Sequence, residues 1–178
     1  MHLGRILLLL PIFFFTTIIH AQNSGKYLKT KSSPNGTVYF IPPLSFKAQA
    51  GKNDLELDFT YFRTTEQTPN ADTVLVHGSL FASEPAEAIS GAAFRLGDQA
   101  VIENMQNQSR IMYIEQVKGK WHCRFNFTIS LEDFFQLLQG EEVTFEMTVN
   151  GQRQQFAPKK KWYKCMATIR PVLKLELK

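Results

Sequence analysis

The chain is predicted to be all-β: an antiparallel β-sandwich, immunoglobulin-like or jelly-roll-like, of about eight or nine strands with one or two short helices. A closed β-barrel is the alternative, because the same alternation serves both. Three observations carry this. Apolar residues recur with period two along most of the chain, as in Leu55, Leu57, Phe59 and Tyr61. Asn150-Gly151 sits between two alternating runs, the strongest short-range signal for a hairpin with a type I′ turn. Hydrophobic content of 44% with 12% aromatics is globular rather than disordered.

Taken in order, Thr37–Ile41 follows the turn signal Pro34-Asn35-Gly36 and is expected to stop at Pro42-Pro43. Leu55–Phe62 and Thr73–Phe81 read as an antiparallel pair joined by the polar loop Thr64–Asp72. Ser83-Glu84-Pro85 resembles a helix start and predicts one or two turns ending near Ser90-Gly91. Strands at Ala92–Leu96 and Ala100–Glu103 follow, then a hairpin of Arg110–Val117 and Trp121–Ile129 around Lys118-Gly119-Lys120.

Ser130 through Asp133 is a capping-box-like start to a helix with Phe134, Phe135, Leu137 and Leu138 on its apolar side and Gly140 as a left-handed stop. Around Asn150-Gly151 the expected register is Val149 with Gln152, Met147 with Gln154 and Phe145 with Phe156, with Glu146 and Gln155 facing water. At the C-terminal end, Trp162, Cys165, Met166 and Ile169 have helical spacing. Pro171 argues against helix at Arg170, and Leu173, Leu175 and Leu177 alternate, so a short helix followed by a strand is expected.

Residues 1–21 read as a cleaved export signal. A short basic start (His2, Arg5) precedes the apolar run Ile6–Ile19, and Ala21 is followed by polar Gln22. The run falls short of the roughly 20 residues needed to span a bilayer. The remaining Gln22–Lys178 is one domain in size, expected in the periplasm or outside the cell. Gln22 at the cleavage point, rather than a cysteine, excludes a bacterial lipoprotein anchor. No later segment predicts a transmembrane span.

Export places Cys123 and Cys165 in an oxidising compartment. The even count predicts one disulfide, adding roughly 3–4 kcal/mol through loop closure. Two separate buried thiols are the alternative.

Candidate chemistry is sparse. After cleavage only His77 and His122 remain, and His77-Gly78-Ser79 lacks the elbow of a serine hydrolase. His122 and Cys123 are adjacent and therefore point to opposite faces of a strand, so with His77 and Cys165 they match no zinc spacing. Glu132-Asp133 and Glu141-Glu142 are explained by helix dipole and solvation. No phosphate-cradling glycine loop is present, and no cofactor is expected.

Asp72-Thr73-Val74 matches a short bacterial O-glycosylation acceptor, with Thr73 as the modified residue. The net charge is +4, and from Arg153 to Lys178 basic side chains outnumber acids eight to one. Within that end, Lys159, Lys160, Lys161 and Lys164 supply charge, with Trp162 or Tyr163 able to stack on a sugar ring. This is the candidate patch for an acidic glycan, with peripheral contact to anionic lipid as a further use. A Trp162 anchored in the core, beside solvated lysines, is the competing account. Export makes nucleic acid an unsuitable partner.

Four segments carry a resemblance: His20-Ala21-Gln22, Leu57–Phe62, Thr128–Phe134 and Gln154–Trp162. On these the chain resembles small exported proteins of unknown function from Gram-negative bacteria. The resemblance implies location and an all-β fold, without an active site to carry over. The function expected is that of a non-enzymatic binding or interaction protein of the envelope or extracellular space. The alternatives are a barrel carrying a small apolar ligand and, behind it, a hydrolase.

Overall fold

A computed structural model describes residues 25–64, 73–98, 100–105 and 109–176. The segment 1–21 expected to be an export signal, Asp72 and Leu177 lie outside the described residues.

Among the described residues ten strands form one antiparallel sheet: β1 (Lys29–Ser33), β2 (Gly36–Ala48), β3 (Asp54–Thr64), β4 (Thr73–Ala82), β5 (Ile89–Leu96), β6 (Ala100–Glu103), β7 (Arg110–Val117), β8 (Lys120–Ser130), β9 (Val143–Val149) and β10 (Gln152–Pro158). Their order is β6-β5-β9-β10-β2-β3-β4-β8-β7, with β1 added to β2. The sheet curls into an open half-barrel and does not close. The expected predominance of antiparallel strands holds, but a single curled sheet stands where two facing sheets were expected, and one helix is longer than the short ones expected. Its continuity depends on the pairing of β10 with β2, Phe156 opposite Ala48, which joins segments distant in sequence. The curl brings β5 against β8, with the rings of Phe94 and Phe127 6.2 Å apart.

Among the described residues two helices pack with the sheet, α1 (Leu131–Leu137) and α2 (Lys160–Glu176). Ser130 caps α1 as expected, its Oγ accepting from the Asp133 N–H at 2.9 Å. Gly140 has no left-handed backbone. It is needed instead for space, since a Cβ there would lie 2.7 Å from Leu96 Cδ2.

The C-terminal segment corrects the expected helix-then-strand. α2 continues through Pro171, and Leu175 is 83% exposed rather than strand-paired. The buried stripe Trp162, Cys165, Met166, Ile169 and Leu173 runs past the proline, which faces solvent. Burying such side chains is worth about 1.5–3 kcal/mol each, enough to outweigh the roughly 3 kcal/mol cost of one proline.

Pro42-Pro43 likewise does not end its strand. The β2–β3 register shifts between Ile41 and Leu44, and this irregularity takes up the two residues that have no N–H to donate.

The β9–β10 hairpin has the expected register, from Val149 opposite Gln152 to Phe145 opposite Phe156. Asn150 (φ 48°) and Gly151 (φ 80°) form its turn. Asn150 also explains why no helix forms at Ser83. Its Oδ1 accepts from the N–H groups of Glu87 and Ala88, and its Nδ2 donates to Pro85 O at 2.9 Å. Donors and an acceptor that a first helical turn would use are bound to the hairpin instead. Gly151→Val should cost about 1–3 kcal/mol, because a β-branched residue is forced to positive φ. A Cβ there meets nothing within 4 Å, so the loss measured by chemical denaturation would report backbone strain alone.

The concave face is filled. Phe46, Phe59, Phe94, Phe127, Phe145 and Trp162 are fully buried and in mutual ring contact. An apolar void of about 10 Å³ is left between Leu173, Phe134 and the strands around them. Cys123 and Cys165 are both free and buried, which corrects the expected disulfide. Each thiol occupies its own place in the core, Cys123 on β8 with its sulfur 3.7 Å from Ala86 O and Cys165 on the inner stripe of α2. Burial pushes the Cys123 thiol up to about 11 and the Cys165 thiol to about 12, so both stay protonated and unreactive.

Candidate functional site

The outer, convex face of β2, β3, β4, β8 and β7 collects side chains far apart in sequence. Along it, Asp54 lies opposite Lys47 on one side and Phe81 on the other, and Glu56 opposite Ser45 and Ser79. At the end of this face a cleft of about 460 Å³ opens, bordered by Asp54, Glu56, Phe81, Lys118, Lys120 and Lys159. Lys118 (φ 51°) and Gly119 (φ 79°) make the tight β7–β8 turn that presents Lys118 and Lys120 at the rim. The start of α2 is tied down by the Lys159 N–H, which donates to Ser45 O at 3.0 Å.

Asp54 stands between two lysines, Lys120 Nζ at 3.1 Å and Lys159 Nζ at 3.8 Å. Glu56 accepts from Ser45 Oγ at 3.2 Å. Phe81 is stacked on His122 at 4.6 Å with the planes 10° apart, and Tyr113 meets His122 edge-on. The cleft thus offers an aromatic ring, two carboxylate acceptors and three ammonium donors, a set suited to the ring face, hydroxyls and charge of an acidic sugar.

Of the six residues expected to form the basic patch, the structure brings Lys159 into this cleft. Lys160, Tyr163 and Lys164 are exposed on α2, while Lys161 folds its Nζ onto Pro43 O at 3.2 Å. Trp162 is 0% exposed and packs on Phe46, Phe59 and Phe94, so it cannot meet a ligand. Sequence reasoning missed Asp54, Glu56, Phe81, Lys118 and Lys120. The one available signal was Lys-Gly-Lys at a hairpin tip.

The other candidates separate. His77 and Ser79 flank Gly78 on the convex face. Ser79 Oγ accepts from Arg124 Nη1 at 2.8 Å, and Asp58 Oδ2 is 2.6 Å from Arg124 Nη2. Asp58 Oδ1 lies 3.2 Å from His77 Nδ1, off the line of a hydrogen bond. Ser79 is thus engaged by a guanidinium, which cannot act as a base. His122 is on the convex face and Cys123 in the core, as adjacent strand residues must be. Among the described residues no group of three or more His, Cys, Asp or Glu could hold a metal ion. Nor is any helix among them long and apolar enough to cross a membrane. Thr73 begins β4, half-buried opposite Ser130.

Glu146, expected to face water, is 5% exposed beneath Arg95, Arg153 and Gln155. Burial alone would raise its pKa, but hydrogen bonds from Arg95, Arg153 and Gln155 outweigh it and hold the carboxyl below its ordinary value. A depressed folded-state pKa gives stability that is full above the unfolded value of about 4.5 and is lost as pH falls through the folded one. Glu146→Gln should therefore flatten the acid limb of a stability–pH curve below that value. An equally steep limb would mean that other carboxylates set it.

No family model, no curated protein and no solved structure matches this chain.

Proposed function

We propose that the chain is a non-enzymatic exported binding protein of the bacterial envelope or extracellular space, and that it takes an acidic glycan in the cleft at Asp54, Phe81, Lys118, Lys120 and Lys159. The cleft carries the reading: lysines around an aromatic ring and two acceptors form a mixed recognition set, whereas a merely solvated face has no such ring. Lys160 and Lys164 extend the positive field along α2 and favour approach of a polyanion. The export segment at residues 1–21 supports the compartment in which such ligands occur. Carriage of an apolar ligand is disfavoured, since ligand pockets hold about 300–1,000 Å³ and the interior void is about 10 Å³.

The test uses polygalacturonate against neutral dextran, at low and at physiological salt. Changing Lys118, Lys120 and Lys159 together to Gln should weaken polygalacturonate binding at low salt by about tenfold or more, about 1.4 kcal/mol. Changing Lys160 and Lys164 should weaken it less. Stability should move little in either variant, because the ion pairs at Asp54 are roughly half exposed and screened. Equal binding by wild type and the cleft variant, or none by wild type, overturns the reading.

A further inference from the structure

The sheet is open, so it has free edges, and they are not alike. β1 carries Lys29 and Lys31 and is exposed throughout, the usual protection against edge pairing. β6 is protected by being only four residues long. β7 has neither device. It is eight residues, Arg-Ile-Met-Tyr-Ile-Glu-Gln-Val, without lysine or proline, and among the described strands it pairs with β8 alone. Met112, Tyr113 and Val117 on it are 52%, 44% and 37% exposed. An edge that is long, apolar and without lysine is a template for another strand.

From this edge we infer that the partner is a second copy of the chain, joined through β7 by a two-fold axis passing between Met112 and Tyr113. In that antiparallel register Arg110 faces Glu115 of the other copy, Ile111 faces Ile114, and Met112 faces Tyr113. The charges are complementary and each pairing occurs twice, as an isologous interface requires.

The irregularity in β7 makes the register possible. Arg110 is opposite Asn126 and Glu115 opposite His122, both on the convex face, although an odd number of residues separates 110 from 115. In a regular strand those two side chains would point to opposite faces. The register shift between Ile111 and Tyr113 puts them on the same face, and puts Ile111 and Ile114, opposite Phe125 and Cys123, together on the other. A bulge that elsewhere would spoil an edge here brings like faces together across the axis.

Sedimentation equilibrium of the chain recovered after export, from micromolar to near-millimolar concentration, tests this. Wild type should show a reversible dimer. Glu115→Arg sets Arg110 against an arginine, and Arg110→Glu sets Glu115 against a glutamate, so each alone should be monomeric. An equimolar mixture of the two should dimerise again, because each chain then meets its complement. Should a single reversal disturb the fold, which circular dichroism would reveal, the chain carrying both reversals keeps the pairing and should still dimerise. A monomeric wild type at the highest concentration overturns the inference. So does a wild-type dimer that survives both single reversals, or a folded double reversal that is monomeric.

Discussion

Trp162→Ala is expected to destabilise the protein by about 3–5 kcal/mol, the range for removing a large aromatic from a filled core. Trp162 is 0% exposed, and its ring centroid lies 5.1 Å from that of Phe46, 5.8 Å from Phe59 and 6.4 Å from Phe94. Those three rings come from β2, β3 and β5, which are not neighbours in the sheet order apart from β2 and β3. The indole therefore holds α2 against both limbs of the curl. Its loss would open a cavity that the surrounding rings cannot collapse into without moving strands. Native domains are stable by only about 5–15 kcal/mol, so the variant should show a large drop in denaturation midpoint. Trp162→Phe should cost much less, because the buried Nε1–H has no partner and its removal relieves an unmet hydrogen bond. A change under about 1 kcal/mol for Trp162→Ala would show that α2 is not docked as described.

The same residue marks how far the sequence could be read. In Lys159–Lys164 an aromatic among lysines looks alike whether it meets a ligand or anchors a helix. The surrounding strands decide, and they come from the other half of the chain. Where neighbouring residues suffice, the reading holds. The Asn150-Gly151 turn and alternation together gave every pair from Val149–Gln152 to Phe145–Phe156. Reading fails where a distant group intervenes. Asn150 takes the donors of Glu87 and Ala88. The stripe ending at Leu173 carries helix past Pro171. Register shifts at Ile41/Leu44, Ser90/Ala93 and Ile111/Tyr113 interrupt strands that alternation alone would make regular. The cleft was illegible for the same reason: Asp54, Phe81, Lys118 and Lys159 meet only once β3 lies between β2 and β4.

Arg124→Leu is the second large effect expected, about 3–5 kcal/mol, the cost of stripping one partner from a buried ion pair. The Asp58 side chain is 3% exposed and that of Arg124 21%. Asp58 is paired across the strands with His77, while Arg124 sits opposite Ser79, so the guanidinium reaches diagonally to bind both Asp58 and Ser79. Without it Asp58 keeps a contact to His77 that is poorly aligned for a hydrogen bond, and Ser79 loses its donor. The size of the effect measures an orphaned carboxylate rather than the net worth of the pair, and a double variant separates the two. Replacing Asp58 and Arg124 together by Leu removes both charges, and such exchanges are often neutral or stabilising where the apolar residues pack. The double variant should therefore recover most of what Arg124→Leu loses, a coupling of at least about 2 kcal/mol in a double-mutant cycle. Additive losses would mean that Arg124 acts through the packing of its stem against the convex face, independently of Asp58.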